Sequence, residues 1–392
     1  MRRADNPFVK LISTKIAVAA TAAFALFSFT PAEAAGAATA NDVMSTTAAP
    51  ALGIIGNYSD TDMTALHRAG GAADVLVEMA WGQAEPVRGQ YNEAYLHSVA
   101  DRIARLQALG YTVSFNTGVH EAPAWLLKLP GARYVDQYGQ AYTDSTEPNL
   151  IFGTQYRYLA TRYLKKVFAT VGTDFSIVRV GGGHWGELTY PFKLDPATGK
   201  LRNLYFAFDV NARRLNPAPS WKPGMPSPKG QAATFLKWYL NSLASYQNWQ
   251  VAALRSAGFQ GTAAVLYPSY GMRGGDFEKA TATDLAGTSS PEINGEVQRG
   301  YDHSRQITAL KDRDVVVYGT WAENFDTVTD LATQARAKGL RAMAETSHVC
   351  LPGQLPTVMS QAQQNNLAAL YIVRLGAPDI IGSARYLSVS SR

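Results

Sequence analysis

Phe175-Ser-Ile-Val-Arg-Val-Gly-Gly-Gly-His-Trp-Gly-Glu187-Leu-Thr-Tyr-Pro191 is the stretch on which the reading of the fold turns. Ile177, Val178 and Val180 are β-branched and read as a buried parallel strand. Three glycines follow at once, which let the backbone turn sharply and let another segment approach closely. A carboxylate, Glu187, then stands among His184, Trp185 and Tyr190. In a (β/α)8 barrel the chemistry sits at the C-terminal ends of the strands. Glu187 is therefore a candidate proton donor, and its three neighbours are candidate substrate-binding residues. The plain alternative is a surface glutamate after a strand.

Working outward, strand and helix signals alternate along the chain. Strands are expected at Leu52–Tyr58, Asp74–Trp81, Thr112–Val119, Phe175–Gly181, Thr262–Tyr267, Asp314–Tyr318, Leu340–Ala344 and Leu367–Arg374. Helices are expected at Ala94–Leu109, Gln155–Thr170, Ala233–Ala257, Asn294–Leu310, Thr327–Lys338 and Leu355–Gln364, with Gly110 and Gly339 as stops. Pro191–Pro228 is a long proline-rich excursion, expected to be a lid or wall of a cleft. Eight strands alternating with helices predict a closed, all-parallel (β/α)8 TIM barrel, an α/β fold in one domain spanning residues 51–392.

Ahead of it, residues 1–34 read as a secretory signal peptide. Arg2, Arg3, Lys10 and Lys15 precede the apolar run Ile16–Phe29, and Ala32-Glu-Ala34 offers small residues for cleavage. The run is too short to span a bilayer comfortably. Residues 35–50, rich in Ala and Thr, read as a flexible leader. The expected location is secreted or periplasmic, with no membrane contact after cleavage. Cys350 is the only cysteine, so no internal disulfide is possible and the core must hold by packing alone. The net charge of +5 is modest and forms no basic stripe, which argues against nucleic acid as a partner. No cofactor is called for, and the chain leaves the oligomeric state open.

The strand ends then collect carboxylates, histidines and aromatics. Strand two is followed by Trp81 and Glu85, and strand three by His120, Glu121 and Trp125. Strand five gives Tyr270; strand six gives Trp321, Glu323 and Asn324; strand seven gives Glu345 and His348. Cleaving a glycosidic bond needs one carboxyl group to protonate the leaving oxygen and a second to attack the sugar or activate water. Aromatic faces give a pyranose ring its apolar platform. Strands four and seven face each other across the mouth, so Glu187 and Glu345 can flank one bond, with Glu323 the competitor for the second role. Glu85 reads equally well as a residue that pins its own loop. His120, His184 and His348 match no short zinc spacing and read as sugar-hydroxyl contacts rather than metal ligands.

These motifs resemble known families. Trp81-Gly-x-x-Glu85-Pro-x-x-Gly89-x-Tyr91 with the Pro123-Ala-Trp125-Leu126 turn is similar to the barrel β-galactosidases of glycoside hydrolase family 42. Gly186-Glu187-Leu-x-Tyr190-Pro191 and Phe235-Leu-Lys-Trp238-Tyr239-x-Asn241-x-Leu243 are similar to the β-amylases of family 14. The resemblance implies that Glu187 is the general acid and that Glu345 is the nucleophile or general base. Two departures keep the sugar open. Gly186 stands where retaining barrel glycosidases usually carry Asn, and Val119-His-Glu-Ala-Pro-Ala124 replaces the glycine-rich binding loop of the β-amylases.

A carboxyl separation of about 5–5.5 Å would mean retention, and about 6.5–9.5 Å inversion. The activity expected is exported glycoside hydrolysis of an oligo- or polysaccharide. The alternatives are a non-catalytic carbohydrate-binding barrel, or a transglycosylase using the same residues.

Overall fold

The computed structural model describes residues 49–56, 58–69, 72–347 and 352–373. The signal peptide, most of the leader, Cys350 and the expected site residue His348 lie outside the described residues. Eight strands form a closed parallel barrel in sequence order: β1 (Ala51–Ile55), β2 (Asp74–Glu78), β3 (Thr112–Asn116), β4 (Val178–Val180), β5 (Ala263–Tyr267), β6 (Val315–Gly319), β7 (Arg341–Glu345) and β8 (Ala369–Val373). The barrel closes by pairing β1 with β8, Ala51 opposite Ala369 through Ile55 opposite Val373. The eight-strand parallel barrel expected from the sequence is what forms. Among the described residues no helix is long and apolar enough to cross a membrane.

Side chains alternate along each strand, so each strand faces both the helices and the barrel interior. Val75, Val77, Val113, Val178, Val180, Val265, Val315 and Val317 pack into the large core shared with the helices. Leu76, Ile177, Ala264, Leu266, Val316, Tyr318 and Tyr371 form a second cluster that fills the interior. Below them, buried Asp74 takes hydrogen bonds from the Ser114, Ser176 and Tyr371 hydroxyls. The same alternation puts Glu78, Asn116, Arg179, Tyr318 and Glu345 on the inner face near the C-terminal ends. Polar residues thus reach the mouth by register alone.

Several helices depart from expectation. Asp60–Ala69, Val210–Leu215 and Asp276–Ala282 are additional helices. The single helix expected over Asn294–Leu310 is two, Pro291–Arg299 and His303–Ala309. Gly300 takes a left-handed φ of 82° at the break, and the Asp302 side chain caps the second helix through Arg305 N–H. The excursion after Pro191 is not a free lid: Leu204, Tyr205, Phe206, Phe208 and Trp221 are buried in the main core. Residues Leu194–Lys200 form a small unit of their own, a turn in which Asp195 Oδ1 accepts the N–H groups of Ala197 and Thr198.

Candidate active site

β4 ends at Val180, and the next nine residues fold back on themselves. Gly183 N–H donates to Glu187 O at 2.8 Å, and Gly186 N–H to Gly183 O at 2.9 Å. A Cβ at Gly181 would collide with the backbone of Gly186–Leu188, and one at Gly183 with Thr189 and Glu187 O. The glycines are thus required by a loop that touches itself. The tightness forces Trp185 into a left-handed conformation, φ 55° and ψ 20°, with its side chain 69% exposed. Leu188 N–H and Tyr190 N–H tie the far side of the loop to Leu266 O and Arg299 O, each at 3.0 Å.

This loop delivers Glu187 to the mouth, where Thr320, just past β6, donates its hydroxyl to Oε1 at 2.7 Å. Burial pushes the Glu187 carboxyl up to about 7; the Thr320 bond opposes that push and the nearby Glu345 charge adds to it. Near neutrality the group therefore holds a proton to give. Thr320→Val removes the opposing donor. It is expected to move the basic limb of a kcat/KM–pH profile upward by about half to one pH unit. An unmoved limb would show that the hydroxyl does not act on the ionisation.

Glu345 closes β7. Arg179 Nη2, from the inner face of β4, donates to its Oε1 at 3.1 Å, and the Tyr318 hydroxyl, from β6, to its Oε2 at 2.9 Å. Burial raises the Glu345 carboxyl, while Arg179 and Tyr318 hold it down. Glu323 has a different position: both of its oxygens accept Ser347 N–H, at 3.0 and 2.9 Å, fixing the backbone after β7. The structure thus brings Glu187 and Glu345 into each other's field and places Glu323 on the rim.

Beside the acid loop, His184 Nδ1 bonds Glu147 Oε1 at 3.0 Å, and Glu147 is itself buried and bonded to Ser145. His120 lies against Gly186, and burial pulls its imidazole down to about 4, so it is neutral. Asn116 Nδ2 donates to Glu78 Oε1 at 3.2 Å, and Glu78 is exposed at the end of β2 rather than buried within it. Tyr270 and Trp321 meet edge to face with ring centroids 4.6 Å apart.

Other expected contacts are scaffold. Trp81 is fully buried, stacks on Tyr163 at 4.9 Å and donates its Nε1 to Glu85 Oε2 at 2.9 Å. Glu85 is buried too, pairs with Arg162 and accepts Gly89 N–H at 2.7 Å. Trp125 donates to Glu85 O at 2.8 Å and packs edge-on against Trp81. The motif therefore pins its own loop. Glu85→Ala is expected to lower Tm by about 3–6 °C, read by calorimetry, while kcat/KM stays within about twofold. A large catalytic loss with intact Tm would return Glu85 to the substrate. Tyr190 is also core: it is fully buried, stacks on Tyr239 at 3.7 Å and donates to Tyr239 O. Asn324 accepts Thr327 N–H as the cap of Phe325–Ala337.

The sequence reading passed over Arg179, Tyr318, Thr320 and Glu147. Arg179 did carry a signal, a lone cation inside Val178-Arg-Val180; the others carried none that sets them apart from ordinary strand and loop residues.

Residues 56–180 match the sequence model of glycoside hydrolase family 42, described as Beta-galactosidase. That match ends at Val180, before Glu187 and Glu345. No curated protein matches the chain in sequence. Among solved structures, the catalytic domain of a β-amylase from Paenibacillus polymyxa is similar with a TM-score of 0.61 at 15% identity, covering 84% of this chain and 93% of that one. A β-galactosidase from the psychrophilic Marinomonas ef1 gives 0.58 at 13% identity, covering 86% of this chain and 59% of its own. One from Rahnella sp. R3 gives 0.57 at 12%, covering 88% and 57%. The chain thus spans less than two thirds of either galactosidase chain, and likeness at such identities is one of fold. The chain is a (β/α)8 barrel of the glycoside hydrolase type, resembling the family 42 β-galactosidases in sequence over residues 56–180 and both those enzymes and a β-amylase in fold.

Proposed function

We propose that this protein hydrolyses an O-glycosidic bond of an oligo- or polysaccharide, with Glu187 as general acid and Glu345 as nucleophile or general base. One observation carries the reading. Two carboxyl groups share the barrel mouth in opposite settings, Glu187 pushed up to about 7 by burial and Glu345 bonded to Arg179 and Tyr318. Environments that drive two carboxyls apart in this way assign acid and base roles. In the reaction Glu187 gives its proton to the departing glycosidic oxygen. Glu345 either bonds the anomeric carbon, to be displaced later by water, or takes a proton from the water that attacks it.

His120, His184 and the Glu78–Asn116 pair supply hydroxyl contacts, and Trp185, Tyr270 and Trp321 the apolar platforms. Residues 1–34 direct export to the periplasm or medium, and a mature N-terminus at Ala35 by mass spectrometry is the expected result.

The test is a screen of the mature protein against aryl glycosides and plant, bacterial and storage polysaccharides, followed by anomeric NMR of the first product. A hit names the sugar, and retention or inversion decides the role of Glu345. Binding without turnover across the panel would mean a carbohydrate-binding barrel instead.

A further inference from the structure

We infer that Tyr270 and Trp321 form the wall of the cleft that receives the leaving sugar, and that Glu296 is the residue that positions this wall. The inference rests on the assignment of Glu187 as acid. Trp321 directly follows Thr320, whose hydroxyl is bonded to Glu187 Oε1. The ring of Tyr270 is 41% exposed and meets Trp321 edge to face at an interplanar angle of 71°. Two large aromatic side chains beside the acid therefore leave apolar surface open to solvent. Arg179, Tyr318 and Glu345 occupy the barrel interior, a polar setting suited to a hydroxyl-rich ring. The aromatic pair lies outward of them, past the ends of β5 and β6. The acid protonates the oxygen between the two rings of the substrate, so the ring beyond that oxygen, the leaving group, falls on the aromatic side. A flat apolar wall there takes a ring-shaped leaving group, a sugar or an aryl group.

The loop that presents Tyr270 is strained and clamped. Ser269 has a left-handed φ of 61°, a conformation that persists only where its surroundings impose it. Buried Glu296 imposes it: Oε1 accepts the Ser269 hydroxyl at 2.7 Å and Arg299 Nη2 at 3.1 Å, and Oε2 accepts Gly271 N–H at 2.8 Å. Met272 N–H adds a bond to Tyr301 O at 2.7 Å. The helix that carries Glu296, Pro291–Arg299, also holds the acid loop, because Arg299 O accepts Tyr190 N–H. One helix end thus sets the aromatic loop and the acid loop in the same frame. That explains why a buried carboxylate is placed where no substrate reaches it.

The test compares an oligosaccharide with the glycosyl fluoride of the same glycone, since fluoride offers no ring to stack. The probes are lactose against β-galactosyl fluoride, and maltotetraose against α-maltosyl fluoride, taking whichever glycone the enzyme cleaves. For Tyr270→Ala the loss in kcat/KM is expected to be about tenfold greater on the oligosaccharide than on the fluoride, with Tyr270→Phe restoring most of it. Glu296→Gln is expected to show the same selectivity through a raised KM. Ser269→Gly, which frees the strained turn without touching the buried pair, is expected to show a milder version. Equal losses on both probes for Tyr270→Ala, or none on either, would overturn the inference. If Glu187→Gln keeps its oligosaccharide activity, the acid assignment is what fails. If Glu187→Gln is inactive and Tyr270→Ala shows no selective loss, only the leaving-group wall fails.

Discussion

Glu187→Gln is expected to lower kcat/KM by about 10²–10⁴-fold on substrates whose leaving group is a sugar, and far less on a 2,4-dinitrophenyl glycoside. Gln fills the same volume and can still accept from Thr320, so the fold should persist; what it lacks is the proton. A dinitrophenolate departs without protonation, so its cleavage does not require the missing acid. The same logic fixes the pH dependence. In the parent enzyme Glu187 must be protonated, and burial pushes its carboxyl up to about 7. Activity on sugar leaving groups should therefore fall as pH rises through neutrality. In the variant that basic limb should vanish from the profile measured on the activated substrate. The acidic limb reports the second carboxylate, and both apparent values belong to the coupled pair rather than to either group alone. Equal losses on both substrate classes, or a basic limb that survives the substitution, would remove Glu187 from the acid role.

The barrel was legible because its strands announce themselves by local chemistry. Ile177–Val180, Ala263–Tyr267 and Val315–Tyr318 are apolar runs that only a doubly covered strand tolerates. The acid was legible for a related reason: three glycines between a strand and a carboxylate mark a backbone that must touch itself. The break inside Asn294–Leu310 was also written in the chain, as Gly300 followed by Asp302, a stop and then a cap. What the sequence hid was partnership at long range. Trp81 and Glu85 look like strand-end contacts until Arg162 arrives from another helix to pair with Glu85. Tyr190 looks like a cleft aromatic until Tyr239 stacks over it. Arg179 and Tyr318 look like strand filler until closure of the barrel brings both to Glu345. A residue's type and spacing indicate which face it takes; only the closed barrel determines what waits on that face.

The second large effect is expected at Glu345. Glu345→Gln should abolish turnover on oligosaccharides and activated aryl glycosides alike, because no leaving group, however good, supplies a nucleophile or a base. This separates it from Glu187→Gln, whose loss depends on the leaving group. Structure sets a second consequence. Arg179 and Glu345 are both buried, with side chains 6% and 11% exposed, so the substitution leaves a guanidinium facing a neutral amide. Removing one partner of a buried pair outright costs about 3–5 kcal/mol. Gln should cost less, since it preserves volume and an acceptor for Tyr318. A lowered Tm with a folded, sugar-binding but inactive protein is therefore the expected outcome. Glu323→Gln gives the contrast. Its carboxylate accepts Ser347 N–H, and an amide oxygen can accept the same bond. It should keep most of its activity. If instead Glu323→Gln is inactive and Glu345→Gln turns over, the reacting carboxylate belongs to the end of β6. The Arg179–Glu345–Tyr318 network would then be a structural brace across the barrel mouth.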